Sequence, residues 1–149
     1  DAYWADDARM DERTGIQEEA DHIAATRATC GWQGLYFGGT AFKKQRPVDP
    51  RDYASAAGIA GGFMDVVTTS GIATGHSADL RKLAAFRDAL PDRPIALASG
   101  MTPDNATDYG MVDCFMVATG INFENDFYNL DPARLSRLVD ICREMGETS

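Results

Sequence analysis

The chain has 149 residues, of which 44% are hydrophobic and 25% charged, a composition typical of one globular domain with a hydrophobic core. Its net charge of -9 argues against a surface for nucleic acid or for an anionic membrane. No apolar run approaches the roughly 20 residues that a membrane-spanning helix needs. We therefore expect a soluble protein of one domain, residues 1–149, with no nucleic-acid partner and no transmembrane segment.

Three cysteines, Cys30, Cys114 and Cys142, lie far apart and show no Cys-x-x-Cys spacing. This pattern favours buried reduced thiols over disulfides or metal ligands, and it predicts a reducing, cytoplasmic location. Cys142 also belongs to an apolar stripe in the last predicted helix, and we expect the whole stripe to face the core: Leu135, Leu138, Val139, Cys142 and Met145.

The first segment, residues 1–13, is strongly polar and has no apolar period. We interpret it as a loop that packs through Tyr3 and Trp4. Its acids could supply oxygen ligands to a divalent cation, but a solvated acidic loop is the simpler interpretation. We therefore expect no metal and no cofactor.

A helix is predicted over residues 14–30, and the first strand over residues 34–42. This strand delivers Lys43 and Lys44 at its carboxyl end. A lysine in that place can hold a phosphate as a point charge or, if desolvated, act as a base or Schiff-base amine. The alternative is that both are solvated loop lysines. We take Lys43 as the stronger catalytic candidate.

Three later stretches share one design, in which an apolar strand ends in a small hydroxyl residue followed by glycine. The pairs are Ser70-Gly71, Ser99-Gly100 and Thr119-Gly120. Their spacing is that of βα units, so with the strand before Lys43 we count four such units over residues 34–149. The pairs are expected to meet at the carboxyl edge of a parallel sheet, where α/β folds bind ligands.

Such pairs suit a phosphate group, because glycine lets backbone N–H groups approach an anion and a helix N-terminus adds positive charge. Thr102-Pro103-Asp104 carries the signals of a helix start just after Ser99-Gly100. The alternative is that each glycine only permits a tight turn. The predicted phosphate-binding residues are Ser70, Gly71, Ser99, Gly100, Thr119 and Gly120.

His76 is the second catalytic candidate, as an acid or base, because it lies in the glycine-bearing loop that follows Gly71. The alternative is a bystander that supports the cap of the next helix. Asp65 and Asp113 precede two strands and therefore belong to the opposite edge of the sheet. For these acids we favour capping of the helix-to-strand turns over acid–base chemistry.

Taken in order, the run 65–75, the run Ala98-Ser99-Gly100-Met101-Thr102-Pro103-Asp104-Asn105 and the run 117–120 resemble the BtpA/SgcQ family of TIM-barrel proteins. The strand ending in Lys43 resembles the lysine-bearing strand that precedes these units in the family. The likeness covers roughly residues 34–139. It implies a ribulose-phosphate-binding type of barrel, with the last two hydroxyl–glycine pairs at its phosphate loops.

The expected fold is α/β, with four parallel βα units that correspond to the carboxyl-terminal half of a TIM (β/α)8 barrel. A complete barrel takes roughly 200 to 250 residues, so by this resemblance the first four units are absent. A parallel half by itself would expose two long edges and an open inner face, and the chain begins with Asp1 rather than methionine, so we expect one of three situations. The chain is a fragment, or a homo-oligomer or second chain completes the barrel, or the half has rearranged into a doubly wound sheet.

Members of the family are associated either with sugar metabolism or with photosystem I biogenesis, so the resemblance leaves the function open. Our first hypothesis is a protein that binds a phosphorylated small metabolite and, if it is an enzyme, acts on a sugar phosphate. The alternative is a non-catalytic assembly factor. That factor would contact proteins through the aromatic and acidic loop at residues 123–128.

Overall fold

A computed structural model of the chain describes residues 1–73 and 75–147; Thr74, in the glycine-bearing loop of His76, lies outside the described residues. The described strands are β1 (Ala2–Ala5), β2 (Leu35–Gly39), β3 (Val66–Ser70), β4 (Ile95–Ala98) and β5 (Cys114–Met116). The α-helices are α1 (Glu18–Cys30), α2 (Tyr53–Ala60), α3 (Leu80–Ala89) and α4 (Pro132–Glu147). Single 3-10 turns span Pro50–Asp52, Ala106–Tyr109 and Thr119–Ile121.

All five strands are parallel and neighbour one another in chain order, β1-β2-β3-β4-β5. A doubly wound sheet would require a reversal of strand order, and the described strands contain none. They form a curled half-barrel with helices between the strands. The α/β half-barrel fold is therefore confirmed, with one strand more than the four predicted.

The additional strand is β1, which lies inside the segment predicted as a loop. Its four residues pair in parallel with β2, from Ala2 opposite Leu35 to Ala5 opposite Gly38. Four residues are too few to show a period, so only the pairing with β2 reveals the strand. The packing through its aromatic residues is confirmed, since the rings of Trp4 and Phe42 are 5.3 Å apart.

The buried core lies between the sheet and the helices. Val67, Ile95 and Leu97 alternate along β3 and β4, so they point to one face of the sheet. They share one buried cluster with Leu83 and Phe86 of α3. This layer fixes the carboxyl ends of β3 and β4 as a rigid platform for the loops that follow them.

The helix predicted at Thr102 does not form. Instead the Thr102 N–H donates to Asn105 Oδ1 at 2.8 Å, and the Thr102 hydroxyl accepts from the Asp104 N–H at 3.2 Å. Short polar side chains that bond nearby backbone compete with helix formation. The chain therefore turns through residues 101–105 and enters only the 3-10 turn Ala106–Tyr109.

Two predictions about burial are wrong, one for the apolar stripe of α4 and one for the cysteines. In the apolar stripe of α4 only Leu138 is buried, because an open groove of 970 Å³ separates α4 from the three-residue strand β5. Cys142 lines this groove and is exposed, as is Cys30, while Cys114 is half-buried. All three are free thiols.

No helix in the described ranges is both long enough and apolar enough to cross a membrane.

Candidate functional site

A cavity of 640 Å³ opens at the carboxyl ends of β4 and β5. Five of the predicted site residues line it: Lys43, Ser99, Gly100, Thr119 and Gly120. They come together because β4 and β5 pair in register, with Ala98 opposite Met116, so the chain leaves both strands at the same level. The opposite wall comes from Trp4 of β1 and from the segments after β1 and β2, which contribute Asp6, Phe42 and Lys44.

Ser99 is the unusual residue of this cavity. Its φ of 72° lies in the left-handed region, which disfavours residues with a Cβ atom. Its hydroxyl oxygen is buried and has no hydrogen-bond partner in the part of the chain that the structure describes. Strained backbone and an unsatisfied buried polar atom both destabilise a fold, and both are concentrated at ligand sites.

Asn105 holds the loop that carries Ser99. Its side-chain amide donates to the Gly100 carbonyl at 3.0 Å, and its Oδ1 accepts from the Thr102 N–H. One side chain thus ties both sides of Met101, which is itself buried. The sequence analysis treated this stretch as a helix start and missed the role. An Asn three residues after a Thr, in a run with Gly and Pro, is a turn signal that could have indicated it.

The three predicted glycines are required first by contacts between loops. A Cβ atom on Gly71 or Gly100 would overlap the carbonyl oxygen of His76, and one on Gly120 would overlap that of Met101. Gly100 also has a φ of 74°. The close packing of the turns therefore requires glycine at these three positions, whether or not the glycine backbone also contacts a ligand.

An α-helix does not supply the positive end that was predicted at this site. After Gly100 the chain reaches only a 3-10 turn, and Thr119–Ile121 is itself a single 3-10 turn. The positive charge at the cavity comes instead from the lysines that follow β2. Lys43 and Lys44 line it together with one carboxylate, Asp6.

The backbone of Lys43 is fixed by Ser70. The Lys43 N–H donates to the Ser70 hydroxyl oxygen at 2.8 Å, and that hydroxyl donates to the Gly71 carbonyl at 2.8 Å. Ser70 is fully buried at the end of β3 and does not line the cavity of Lys43. Ser70 therefore lies beneath the segment that carries Lys43. Its predicted contact with phosphate stays a prediction.

His76 is exposed, and it is not among the residues that line the cavity. Its backbone carbonyl oxygen lies against Gly71 and Gly100. Gly71 lines a separate cavity of 140 Å³ on the other side of Lys43. The acid–base role of His76 and the phosphate role of Gly71 remain predictions.

Lys82 is a buried cation that the sequence analysis missed. It lies on α3, only 5% exposed, and its ammonium group donates to the carbonyl oxygens of Ala41 and Ser70. Desolvation lowers the pKa of Lys82 to about 8, against the opposing effect of Asp79. In the sequence, Lys82 looks like one more polar residue of an amphipathic helix. The periodicity of that helix does not predict that Lys82 is buried.

A second large cavity, of 660 Å³, lies between residues 7–19 and the segment after β2. Acids dominate its charged lining, which comprises Asp7, Asp11, Glu12, Glu18 and Glu19 against Arg9, Lys44 and Arg46. An anionic ligand is therefore disfavoured there relative to the cavity at β4 and β5. Among the residues described, no three His, Cys, Asp or Glu side chains are grouped so as to hold a metal ion.

Comparison with known proteins supports the fold. No protein-family model matches the chain. It is 32% identical over 90 residues to an uncharacterised protein of Thermococcus kodakarensis, and the match covers 59% of this chain and 34% of that protein. The chain therefore spans about a third of the length of this curated relative.

A solved structure, phosphoribosyl anthranilate isomerase from Thermus thermophilus, is similar in fold with a TM-score of 0.54 and 15% identity. The likeness covers 83% of this chain and 56% of that one. The half-barrel thus matches a little more than half of a TIM-barrel-type protein.

Proposed function

We propose that the cavity at the carboxyl ends of β4 and β5 binds the phosphate group of a small phosphorylated metabolite. The observation that carries this proposal is Ser99, whose buried hydroxyl lacks a partner and whose backbone is held at a φ of 72° on the cavity wall. Rotation of the Ser99 side chain would turn that hydroxyl toward the cavity, where a phosphate oxygen would accept from it and remove the cost of leaving it unsatisfied.

The surrounding residues fit an anion. Thr119 contributes a second hydroxyl from the adjacent loop, and Lys43 and Lys44 contribute positive charge from the opposite wall. Asp6 repels a phosphate but accepts hydrogen bonds, so it suits the hydroxyl groups of a sugar. The arrangement favours a ligand with an anionic end between Lys43 and Ser99 and a polyhydroxyl end toward Asp6.

The same arrangement supports an enzyme of the BtpA/SgcQ type that acts on a sugar phosphate. Lys43 is the proposed acid–base residue, because its backbone is anchored to Ser70 and its side chain lines the cavity. Proton transfer next to a carbonyl group of the sugar is the chemistry that one lysine and one carboxylate lining the same cavity suit best. The complete site of such an enzyme would also include residues from barrel units outside this chain.

The first test is a titration of the labelled protein with ribose 5-phosphate, inorganic phosphate and ribose, followed by backbone amide NMR. Saturable shifts at Gly100 and Gly120 are expected with both phosphates and not with ribose. Lys43→Met should weaken binding at least tenfold, since it removes the cation and keeps the stem. The matched control is Arg93→Met, which removes an exposed positive charge at the amino edge.

Two results would contradict the proposal. One is a folded wild-type protein whose Gly100 and Gly120 amides do not respond to either phosphate. The other is an equal loss of affinity in the Lys43 and Arg93 variants, because the affinity would then depend only on the net charge of the protein. With binding established, a loss of kcat by Lys43→Met at saturating sugar phosphate, in addition to its weaker binding, would assign the catalytic role.

A second candidate function is protein contact through the loop 123–128. Phe127 and Tyr128 are 72% and 94% exposed, an uncommon degree for neighbouring aromatic residues. The loop is ordered by Asp126, which accepts from the Tyr128 N–H at 2.7 Å and from the Asn129 side chain at 2.7 Å. These hydrogen bonds, led by that of Asn129, lower the pKa of Asp126.

A rigid loop with two exposed rings loses little entropy on binding, so it suits an assembly factor. The test is a quantitative pull-down with wild type, with a Phe127→Ala/Tyr128→Ala double variant, and with Ile16→Ala as a control at another exposed apolar residue. Loss of specific partners in the double variant alone supports this function. Equal recovery from all three proteins argues against it.

A further inference from the structure

The segment that carries Lys43 has a strained backbone. Between β2 and α2, Ala41 has a φ of 47° and Lys44 a φ of 67°, both in the left-handed region. Non-glycine residues keep such conformations only where the surrounding structure holds them in place. The contacts of this segment therefore decide where Lys43 points.

Those contacts converge on the end of β3. The Thr40 N–H donates to the Thr68 carbonyl at 3.0 Å, and the Lys43 N–H donates to the Ser70 hydroxyl. The Ala41 carbonyl, at the strained position, accepts from Thr69 Oγ1 at 3.2 Å.

Lys82 of α3 joins the two sides of this junction. Its Nζ atom donates to the Ala41 carbonyl at 3.0 Å and also to the Ser70 carbonyl. One ammonium group thus links the strained segment to the residue whose hydroxyl holds the Lys43 backbone. The aliphatic core beside Lys82 does not account for a buried cation, since the next residue of the helix, Leu83, already packs into that core.

We propose that Lys82 is a positioning residue, whose buried ammonium group locks the segment after β2 onto the end of β3 and thereby directs Lys43 into the cavity. The consequence for ligand affinity rests on the proposed function of that cavity. The consequence for the backbone of Lys43 does not, and it is measured separately.

The charge state of Lys82 matters because an ammonium group offers three donor hydrogens and forms the stronger hydrogen bond to a carbonyl. Burial lowers its pKa to about 8, which leaves the group mainly charged at neutral pH. The titratable and charged groups that face it are Asp79 on its own helix, the Tyr53 ring of α2 at 5.8 Å, and the side chains of Lys43, Lys44 and Arg46, which line the same small cavity.

The decisive variant is Lys82→Met, which keeps the length of the side chain and removes the donors. Hydrogen exchange at the Lys43 amide is expected to accelerate at least tenfold relative to β4 amides of the same protein. Leu83→Ala is the matched control, because it weakens the same helix without removing a hydrogen bond to Ala41 or Ser70, and its exchange should rise in proportion to the loss of global stability. Equal behaviour of the two variants at Lys43 would overturn the proposal.

The wild-type protein supplies an independent measurement in case the variant does not fold. With ¹⁵N-labelled lysine, the Lys82 ammonium signal should be visible and slowly exchanging at neutral pH. The Lys43 amide shift should change in step with it as the pH rises through about 8. A Lys82 signal that exchanges as fast as that of an exposed lysine would overturn the proposal.

Ligand binding distinguishes the two levels of inference. Lys82→Met is expected to bind ribose 5-phosphate at least tenfold more weakly than wild type, and Leu83→Ala to bind normally under folding conditions. If wild type binds and Lys82→Met binds equally well, Lys82 does not position the site. If wild type itself does not bind, the proposed function fails, and the exchange of the Lys43 amide alone decides the structural role of Lys82.

Discussion

The two edges of the sheet differ in how completely their polar groups are satisfied. At the amino edge, Asp65 accepts from the Tyr36 N–H at 2.7 Å and pairs with Arg27 at 2.8 Å. Asp113 repeats the arrangement with the Ile95 N–H and Arg87. Each acid thus ties a strand to its neighbour and to a helix. These acids thus have the structural role that was favoured over acid–base chemistry, but each accepts from an amide of the neighbouring strand rather than from the turn before its own strand.

The carboxyl edge has the opposite character. Ser99 is strained and its hydroxyl lacks a partner in the described chain, while Ala41 and Lys44 have left-handed backbones. Barrel folds separate the two tasks in this way, with stability at the amino ends of the strands and function at the carboxyl ends. The comparison predicts that substitutions at the amino edge change stability alone, and that removal of a strained or unsatisfied group at the carboxyl edge raises stability while it weakens ligand binding.

The largest effect is expected for Gly100→Ala. The new methyl group would overlap the His76 carbonyl, and the residue would keep a φ of 74°, so the free energy of unfolding should fall by about 3 kcal/mol or more. Gly58→Ala is the control, since Gly58 lies in α2 with open space around it, and it should stabilise by about 0.5 to 1 kcal/mol. Chemical denaturation measures both, and a neutral Gly100→Ala would mean that the loop yields easily.

The next effect belongs to the amino edge. Asp65→Ala leaves the Tyr36 N–H without its acceptor and Arg27 without its carboxylate, which should lower the free energy of unfolding by about 2 kcal/mol. Phosphate affinity should not change. Asp92→Ala, in an exposed turn, is the control and should stay within about 0.5 kcal/mol of wild type. Weaker phosphate binding by folded Asp65→Ala would break the division between the two edges.

A pH dependence of comparable size comes from Lys82. The pKa of Lys82 is lower in the folded chain, about 8 against the ordinary lysine value of 10.5, so between these values the unfolded chain retains a proton that the folded chain has released. The contribution of Lys82 to the free energy of unfolding therefore rises with pH across this window, by about 3 kcal/mol in total. Denaturation of wild type and Lys82→Met at pH 7, 8.5 and 10 checks it. Parallel pH curves would contradict the prediction.

The smallest expected effect, that of Ser99→Gly, distinguishes the two edges of the sheet most clearly. Ser99→Gly removes the backbone strain and the unsatisfied hydroxyl together, so it should stabilise the fold by about 1 kcal/mol while it weakens phosphate binding. Ser55→Gly, the same substitution at an exposed position of helix α2, should instead destabilise by about 0.5 kcal/mol. Thermal unfolding and the amide titration measure the two properties. A destabilised Ser99→Gly would show that the serine serves the fold.

The sequence by itself determined the order of parallel βα units and the alignment of their hydroxyl–glycine ends, because both follow from local patterns of apolar, hydroxyl and glycine residues. It also placed Lys43 at the same edge as Ser99-Gly100 and Thr119-Gly120, since all strands of a parallel sheet end at one edge.

Only the tertiary structure decided the remaining features. The strand β1 exists through its pairing with β2, and α4 is left exposed by the groove beside β5. The burial of Lys82 and the unsatisfied hydroxyl of Ser99 likewise depend on residues distant in the chain. A local pattern specifies which side chain reaches an edge, whereas desolvation and hydrogen-bond satisfaction depend on everything packed around it.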